Sequence, residues 1–536
     1  MDGSMQKIPA VLFIAAALAC APASFAEQAD SYLSAEPDIN DRPSQLQSIP
    51  LLQSLRNINQ QQDYRPPDVH DLKNRYGVRT LFVEAQDLPM VDIQLTFNAG
   101  SARDQEIGAG LYGLANTAAK LMDEGTEKYS ANQIAGAFEQ AGAQFSLQAH
   151  RDMFIVRLRV LSDPQKLKPA ITMMMEVLNH ASFKNSSINM ALSNTQVGQK
   201  QLKENPGSLM SIRFYRAVYG SHPYAQPVTG TNGSLKKITS EHLKQFRDKF
   251  IVAQNMNIAI TGKLSAKEAS ALAERIAGQL KQGKKAQPLA SPQAKTALNI
   301  IAMPYHSAQA HVMFGQLGTT RNDPDRLALE VANRMFGGSS FNSVLMQELR
   351  VKRGYTYGAY SAFSFSQAPG IFNFSYSTRQ DQLMDSIKVA HKALADFVQK
   401  PIDRGQLEET KAGMLRAYPN TYSSNAATNA QLGLLGFYNH PADYLAQYPQ
   451  RLEKITAEDV QNAVRRHLHP DQMTLVVVST ALDKAGLEAI LQDNLRAEPG
   501  NPADPASGAA PLKTAPQSTP EADAPAQPQN DRPASI

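Results

Sequence analysis

The chain has 536 residues, a length that exceeds a single hydrophobic core and predicts two or more domains. Its formal net charge of +4 is too small over this length to favour nucleic acid or an anionic membrane as a partner. The single cysteine excludes an internal disulfide, and the apolar fraction of 42% is that of an ordinary globular protein.

The N-terminal segment, residues 1–26, has the pattern of a secretory signal peptide. Lys7 precedes an apolar run, and small residues then lead to Ala26, after which we predict cleavage. The apolar run is too short to span a bilayer, so we expect no transmembrane segment and predict a mature chain exported to the periplasm of a Gram-negative bacterium. Two alternatives stay open: a buried N-terminal helix, and a lipid anchor at Cys20, whose surroundings faintly resemble a bacterial lipobox.

An internal repeat organises the centre of the chain. Residues 238–241 (Ile-Thr-Ser-Glu) open a helical pattern that leads to an apolar strand at 255–261. Residues 455–458 (Ile-Thr-Ala-Glu) open a second pattern that leads to a strand at 472–478, and the two copies are 217 residues apart at both ends. The repeat therefore predicts two similar domains.

The beginnings of the two halves also correspond. Each half is predicted to start with an alternating strand, a polar turn and a helix, and to continue with an amphipathic helix and a further strand. In chain order these are strand 91–98, helix 111–122, strand 154–160 and helix 167–178, then strand 310–317, helix 327–335, strand 371–376 and helix 387–398. A further helix follows the repeated strand in each half, opened in the first by a capping box of Ser265 and Glu268.

The fold class predicted from this pattern is α+β. We expect two homologous duplicated domains, each an antiparallel-rich sheet with helices packed on one face, joined by a linker and facing each other across a cleft. The predicted boundaries are 27–68 for an extended polar arm, 69–280 for the first domain, 281–296 for the linker, 297–492 for the second domain and 493–536 for a Pro- and Ala-rich tail. The tail's composition predicts disorder, because it cannot bury enough apolar surface to offset the cost of ordering.

One predicted helix has the flanking residues and spacing of a known metal-binding motif, but none of the residues that bind the metal. Residues 113–120 read Gly-Leu-Ala-Asn-Thr-Ala-Ala-Lys, with Gly-Thr at 125–126. This segment resembles the zinc helix of the pitrilysin/insulinase-like (M16) peptidases, which reads G-L-A-H-x-x-E-H, where the two His bind zinc and the Glu activates water. In this chain Asn116 and Lys120 stand at the His positions and Ala119 at the Glu position, and none of the three side chains can do that chemistry.

The resemblance covers residues from about 70 to 492 and points to the M16B type. It rests further on Gly142-Ala143 before an alternating strand, on Tyr-Gly-Ser-His-Pro at 219–223 with Gly230, and on the segment 336–357. In the family a third zinc ligand, a Glu, precedes a later turn by about eight residues, a spacing that leads to Gly198 here. All four metal-site positions are therefore lost, and no cofactor is expected in this chain.

The eleven histidines offer no other metal motif, since His306 with His311 and His467 with His469 have spacings that fit no helix face. On a strand, His467 and His469 could share a face, but we favour a solvated or packing role for them.

The resemblance also implies a retained pair, Arg350 and Tyr357. In the family the corresponding Arg and Tyr reach the substrate carbonyl beside the zinc, and guanidinium and phenol are donors suited to a developing oxyanion. The alternative is structural: Arg350 would pair with carbonyls at the end of an amphipathic helix, and Tyr357 would be one of several strand aromatics. In the first half, the strand that follows Gly142 includes Ala143, Gln144, Phe145 and Ser146. We expect this strand to offer its edge to an extended peptide.

These losses and retentions predict the metal-free subunit of an exported, heterodimeric M16B-type zinc peptidase, inactive alone. A zinc-bearing homologue would be its partner and a peptide its substrate. The alternative is a structural or binding subunit of a periplasmic or membrane-associated complex with no part in catalysis. A self-sufficient hydrolase is disfavoured, because the mature chain has no Cys nucleophile and no recognisable Ser elbow.

Overall fold

The computed structural model describes residues 65–496, and these contain two sheets. The predicted signal peptide, Cys20, most of the predicted arm and residues 497–536 lie outside the described residues. The strands of the first sheet are β1 (His70–Leu72), β2 (Thr80–Glu84), β3 (Met90–Phe97), β4 (Gln144–Ala149), β5 (Phe154–Leu161) and β6 (Met256–Gly262), in the order β1-β2-β6-β3-β5-β4. All neighbours are antiparallel except β2 and β6, which run parallel.

The second sheet repeats this arrangement. Its strands are β7 (Asn299–Pro304), β8 (Gln309–Leu317), β9 (Ala359–Phe363), β10 (Ile371–Arg379) and β11 (Thr474–Ser479), in the order β7-β11-β8-β10-β9. The pair β7 and β11 is again the parallel one. The first sheet without β1 and the second sheet therefore have the same topology, which confirms the predicted duplication.

The helices of the first half are α1 (Leu114–Leu121), α2 (Ala131–Ala141), α3 (Pro164–His180), α4 (Asn185–Lys203), α5 (Pro206–Tyr219), α6 (Asn232–Leu235), α7 (Ser240–Phe250) and α8 (Ala266–Gln279). Those of the second half are α9 (Arg326–Gly337), α10 (Leu383–Gln399), α11 (Arg404–Ala417), α12 (Asn425–Phe437), α13 (Tyr444–Glu453), α14 (Ala457–His467) and α15 (Lys484–Arg496). The capping box of Ser265 and Glu268 is present at α8. None of the helices between residues 65 and 496 combines the length and the apolar content that a membrane span needs.

Two motif glycines explain where α1 begins. The predicted helix 111–122 starts only at Leu114, because Gly113 has a left-handed φ of 91°. A Cβ on Gly113 would lie 2.9 Å from the Cα of Gly230, which itself has a φ of 75°. The glycine that opens the metal-site frame and the glycine of the later turn therefore pack directly against each other, and a side chain at either position would separate them.

Each sheet receives one helix from the other half on its second face, a feature that the sequence did not predict. Helix α5 of the first half packs on β8 and β11, and its fully buried Phe214 lies in one apolar cluster with Val476 and Val478. Helix α12 of the second half packs on β3 and β6, with its buried Leu432 and Leu435 clustered with strand residues of the first sheet. Burying a side chain of this size stabilises the fold by about 1.5–3 kcal/mol, so the exchange binds the two halves firmly.

The segment between the halves has no regular structure but is tied to the first half. Gly283 N donates to Gln254 Oε1 at 2.7 Å, and Ala286 N donates to Asn255 Oδ1 at 2.9 Å. At the other end of the second half, α15 continues to Arg496, past residue 492, at which the second domain was predicted to end.

Candidate functional site

Helix α1 is anchored at its N-terminus by a buried carboxylate. Asp104 accepts hydrogen bonds from the backbone N–H groups of Gly113 (2.7 Å), Leu114 (3.1 Å) and Ala115 (2.9 Å). Burial raises the pKa of Asp104 to about 8, while these three hydrogen bonds act in the opposite direction. The helix then packs against α4, α7 and the edge strand β4.

The zinc-ligand positions of α1 face α4 without forming a ligand set. Lys120 is exposed, and its Nζ donates to Thr195 Oγ1 of α4 at 3.3 Å. Asn116 is half-buried and Ala119 is buried, and Gly198, on α4 one turn beyond Thr195, has no side chain. The fold therefore brings the two helices together as a metal site would require, but the charged group at this place is an ammonium, which repels a cation.

The predicted peptide-binding strand lies at an open edge. In the described part of the chain, β4 pairs only with β5, so its outer edge carries no strand. Gln144 and Ser146 are exposed, whereas Phe145 is half-buried and stacks on Phe138 with ring centroids 4.5 Å apart. Ala143 immediately precedes this strand. The free backbone groups of β4, next to α1, are of the kind that accept an added strand.

Arg350 and Tyr357 both lie on a surface segment of the second half, residues 341–360. Arg350 belongs to the π-helical turn Met346–Val351, and its guanidinium carbon lies 4.6 Å from the centre of the Phe341 ring. Tyr357 is 86% exposed, and its hydroxyl makes no hydrogen bond to any residue in the described range. Tyr357 precedes β9 and is not packed as a strand aromatic, and Arg350 rests on a ring rather than on helix-end carbonyls.

The turn that carries Arg350 is held by a charged group of its own. Glu348 accepts hydrogen bonds from Lys352 and from Arg353, each at 2.6 Å. Burial raises the pKa of Glu348, but these two cations hold it below its usual value. The segment 341–360 also exposes Phe341 (57%) and Val351 (56%), and exposed apolar side chains grouped in this way mark interaction surfaces.

His467 and His469 do not lie on a strand. His467 is the last residue of α14, and its Nε2 lies 2.9 Å from Asp325 Oδ2, whereas His469 follows the helix and donates its backbone N–H to Gln316. Asp323, Asp325 and His467 are the one group of three possible metal ligands within residues 65–496. Because Arg466 and His467 already pair with Asp325, an ion pair accounts for this cluster.

Comparison with known proteins places this geometry in a family. The family description "Insulinase (Peptidase family M16)" matches residues 79–232, and "Peptidase M16 inactive domain" matches residues 237–414. The crystal structure of a peptidase M16 inactive domain from Pseudomonas fluorescens is 34% identical, covers 77% of this chain and 99% of its own, and superposes with a TM-score of 0.72.

More distant relatives belong to the same group of proteins. The "Non-peptidase homolog YmxG" of Helicobacter pylori is 22% identical over 76% of this chain and 94% of its own length. The crystal structure of a Helicobacter pylori protease shares the fold, with a TM-score of 0.69 at 16% identity, over 77% of this chain and 100% of its own. The chain therefore belongs to the insulinase (M16) peptidase family, as an inactive member with Asn116, Ala119 and Lys120 in place of the zinc-site residues.

Proposed function

We propose that this chain is the metal-free subunit of an exported M16B-type zinc peptidase. A zinc-bearing homologue supplies the metal and the water, and this chain holds the peptide and presents Arg350 and Tyr357 to the scissile carbonyl. The observation that carries the proposal is the unpaired Tyr357 phenol, 86% exposed and seven residues from a guanidinium held over Phe341. Two hydrogen-bond donors exposed in this way are available to an acceptor outside the chain.

The chemistry required of the pair is limited. A carbonyl attacked by water on a partner's zinc develops negative charge on its oxygen, and a phenol O–H and a guanidinium N–H stabilise that charge as hydrogen-bond donors. Neither group has to gain or lose a proton. The exposed Phe341 and Val351 beside them support a protein partner at this surface, since a peptide alone would leave much of this apolar area in water.

The test is reconstitution of the full chain with a zinc-bearing M16B homologue from the same organism. We expect chelator-sensitive cleavage of a fluorogenic peptide by the pair and none by this chain alone. Tyr357→Phe keeps the ring and removes the hydroxyl, so it should preserve association and lower kcat by about 100-fold. Arg350→Ala should act similarly, whereas Tyr360→Phe, a neighbouring tyrosine that is 41% exposed, should leave the rate unchanged.

The second candidate is a purely structural or binding subunit, which the exposed apolar side chains of residues 341–360 also favour. Under this function, Phe341→Ala or Val351→Asp would break the complex, while Arg350→Ala and Tyr357→Phe would leave any activity of the complex intact. Full activity of both donor variants in an assembled complex would reject the catalytic role and retain this one. Cleavage by the chain alone would reject both.

A further inference from the structure

A cavity of about 800 Å³ lies between the two halves, bordered by the ends of β4 and β5, by α9 and by β9 with the loop that follows it. None of the residues that line it belongs to α1 or to the segment 341–360. Gln148 and Ala149, the last two residues of the edge strand, are in its wall, so the cavity adjoins the C-terminal end of β4. A peptide lying along β4 would reach this cavity.

The charged side chains in the wall are mostly cationic. Four are arginines and two are acids: Arg151, Arg157, Arg321, Arg334, Asp152 and Glu330. Glu330 is paired with Arg326, a residue outside the wall. Asp152 accepts hydrogen bonds from the Tyr224 hydroxyl and, at 2.9 Å, from Gln367 N, so it is used in joining the two halves. Asp152 also interacts electrostatically with the adjacent Arg151, but four arginines against two acids leave the wall with an excess of positive charge.

Two of these guanidinium groups are held in place but have no acceptor. Arg151 lies 4.4 Å from the Tyr215 ring centre and Arg321 lies 5.4 Å from that of Tyr438. Within residues 65–496 neither side chain forms a hydrogen bond or an ion pair, and the Nε of each is buried and unsatisfied. Both side chains line the cavity, so their remaining guanidinium N–H groups are available to an acceptor bound there.

A third arginine connects the cavity to the edge strand. Arg157 donates to Gln94 at 3.0 Å and to Gln148 of β4 at 3.2 Å, so its guanidinium is fixed in the wall of the cavity beside β4. Planar guanidinium groups fixed by stacking and by amides match the two oxygens of a carboxylate better than the spherical charge of a lysine would.

We propose that this cavity binds a carboxylate of the peptide that β4 holds, with Arg151 and Arg321 as its donors and Arg334 at the rim. The substrate class is then acidic peptides. The carboxylate comes either from an acidic side chain or from the peptide's C-terminus. This inference rests on the proposed peptide-holding function and adds to it a preference for peptides with a carboxylate at this position.

Binding of labelled peptides to the full chain tests the proposal. Four peptides share one strand-forming core and differ in two ways: Glu or Gln near the end, and a free or an amidated C-terminus. We expect at least one carboxylate to tighten binding by about tenfold over its amide, with an advantage that shrinks as salt is added. Arg321→Gln and Arg151→Gln should remove this advantage, and Arg379→Gln, whose side chain pairs with Asp381 elsewhere, should not.

The possible results test the carboxylate site separately from peptide binding by β4. Equal binding of acidic and amide peptides, or a preference that persists in Arg321→Gln, would overturn the carboxylate site and leave peptide binding by β4 standing. Failure of every peptide to bind would overturn both, while the reconstituted activity and its dependence on Tyr357 would remain a separate measurement. Arg334 is exposed and carries little of the fold, so Arg334→Gln should lower the same preference even if the Arg151 variant does not fold.

Discussion

Lys120 Nζ donates a hydrogen bond to Thr195 Oγ1 at 3.3 Å and so links α1 to α4, the two helices that carry the lost zinc-ligand positions. The contact is exposed and adds little stability by itself. Its importance is electrostatic, because a fixed positive charge stands where the family's frame places a metal ligand. The loss of the metal is thus reinforced by the side chain that replaced the second His.

Rebuilding the zinc helix alone should not restore metal binding. The triple variant Asn116→His, Ala119→Glu, Lys120→His supplies two imidazoles, whereas catalytic zinc sites use three protein ligands. Adding Gly198→Glu should tighten zinc binding by more than about tenfold, because a third ligand is gained and no atom lies within 4 Å of the added Cβ. Calorimetric titration with zinc measures this, and equal affinities of the triple and quadruple variants would show that position 198 does not face the site.

Removal of the Asp104 carboxylate should destabilise the fold strongly. Asp104→Ala leaves three backbone donors at the start of α1 without their acceptor, and we expect a loss of about 2–4 kcal/mol in the free energy of unfolding. Asp403→Ala is the comparison: this exposed N-cap accepts one N–H, from Gln406, and its loss should cost about 1 kcal/mol. Urea denaturation of both variants checks the difference, and similar losses would contradict the role assigned to Asp104.

Acid should weaken the fold through His440. Burial, followed by the charges of nearby arginines, lowers the pKa of His440 to about 4, and its Nε2 is buried without a hydrogen-bond partner among residues 65–496. Between pH of about 6.5 and 4 the unfolded chain binds a proton that the folded chain does not, so stability falls as the pH falls through this window. Because part of the ring is open to solvent, we expect about 1 kcal/mol from this group.

The variant His440→Gln should therefore show a flatter loss of stability between pH 6.5 and 4 than the parent chain. Denaturation curves at several pH values, recorded in the same buffer, provide the comparison. An identical slope in both proteins would assign the acid sensitivity to other groups.

Cutting the linker should not separate the halves. A protease site placed between residues 284 and 290 lies in a segment without helix or strand, and cleavage there leaves α5 on the second sheet and α12 on the first. We expect the two fragments to elute together in size-exclusion chromatography. Phe214→Ala, which removes a fully buried ring from the exchanged helix, should destabilise the protein by about 3–5 kcal/mol and promote dissociation of the cut fragments. Separate elution of the fragments of the otherwise unchanged chain would contradict the exchange.

The sequence predicted elements whose signals are local. The repeat at Ile238 and Ile455, the capping box at Ser265 and the alternating strands gave the duplicated α+β fold, because capping and periodicity act over a few residues. The pattern of residues 113–126 indicated the family for a similar reason, because its residues follow one another within one short stretch of sequence. The predicted helix start at 111 was wrong because the left-handed Gly113 is a property of tertiary packing.

Features that need two distant segments were missed. Nothing in the pattern of α5 or α12 tells which sheet either helix covers, because an apolar stripe fits any apolar face. The arginine-lined cavity was missed for the same reason: Arg151 and Arg321 are 170 positions apart in the sequence, and each alone is an ordinary loop arginine.

The exchange of α5 and α12 limits how this molecule can receive a ligand. A clamshell that swings open would have to pull Phe214 and Leu435 out of the apolar cores of opposite sheets, at a cost comparable to unfolding. The cavity of about 800 Å³ between the halves therefore cannot widen by a hinge motion, and a peptide that binds in it has to enter in an extended form. Because this volume is far smaller than a folded domain, the cavity excludes folded proteins by size, whatever their sequence.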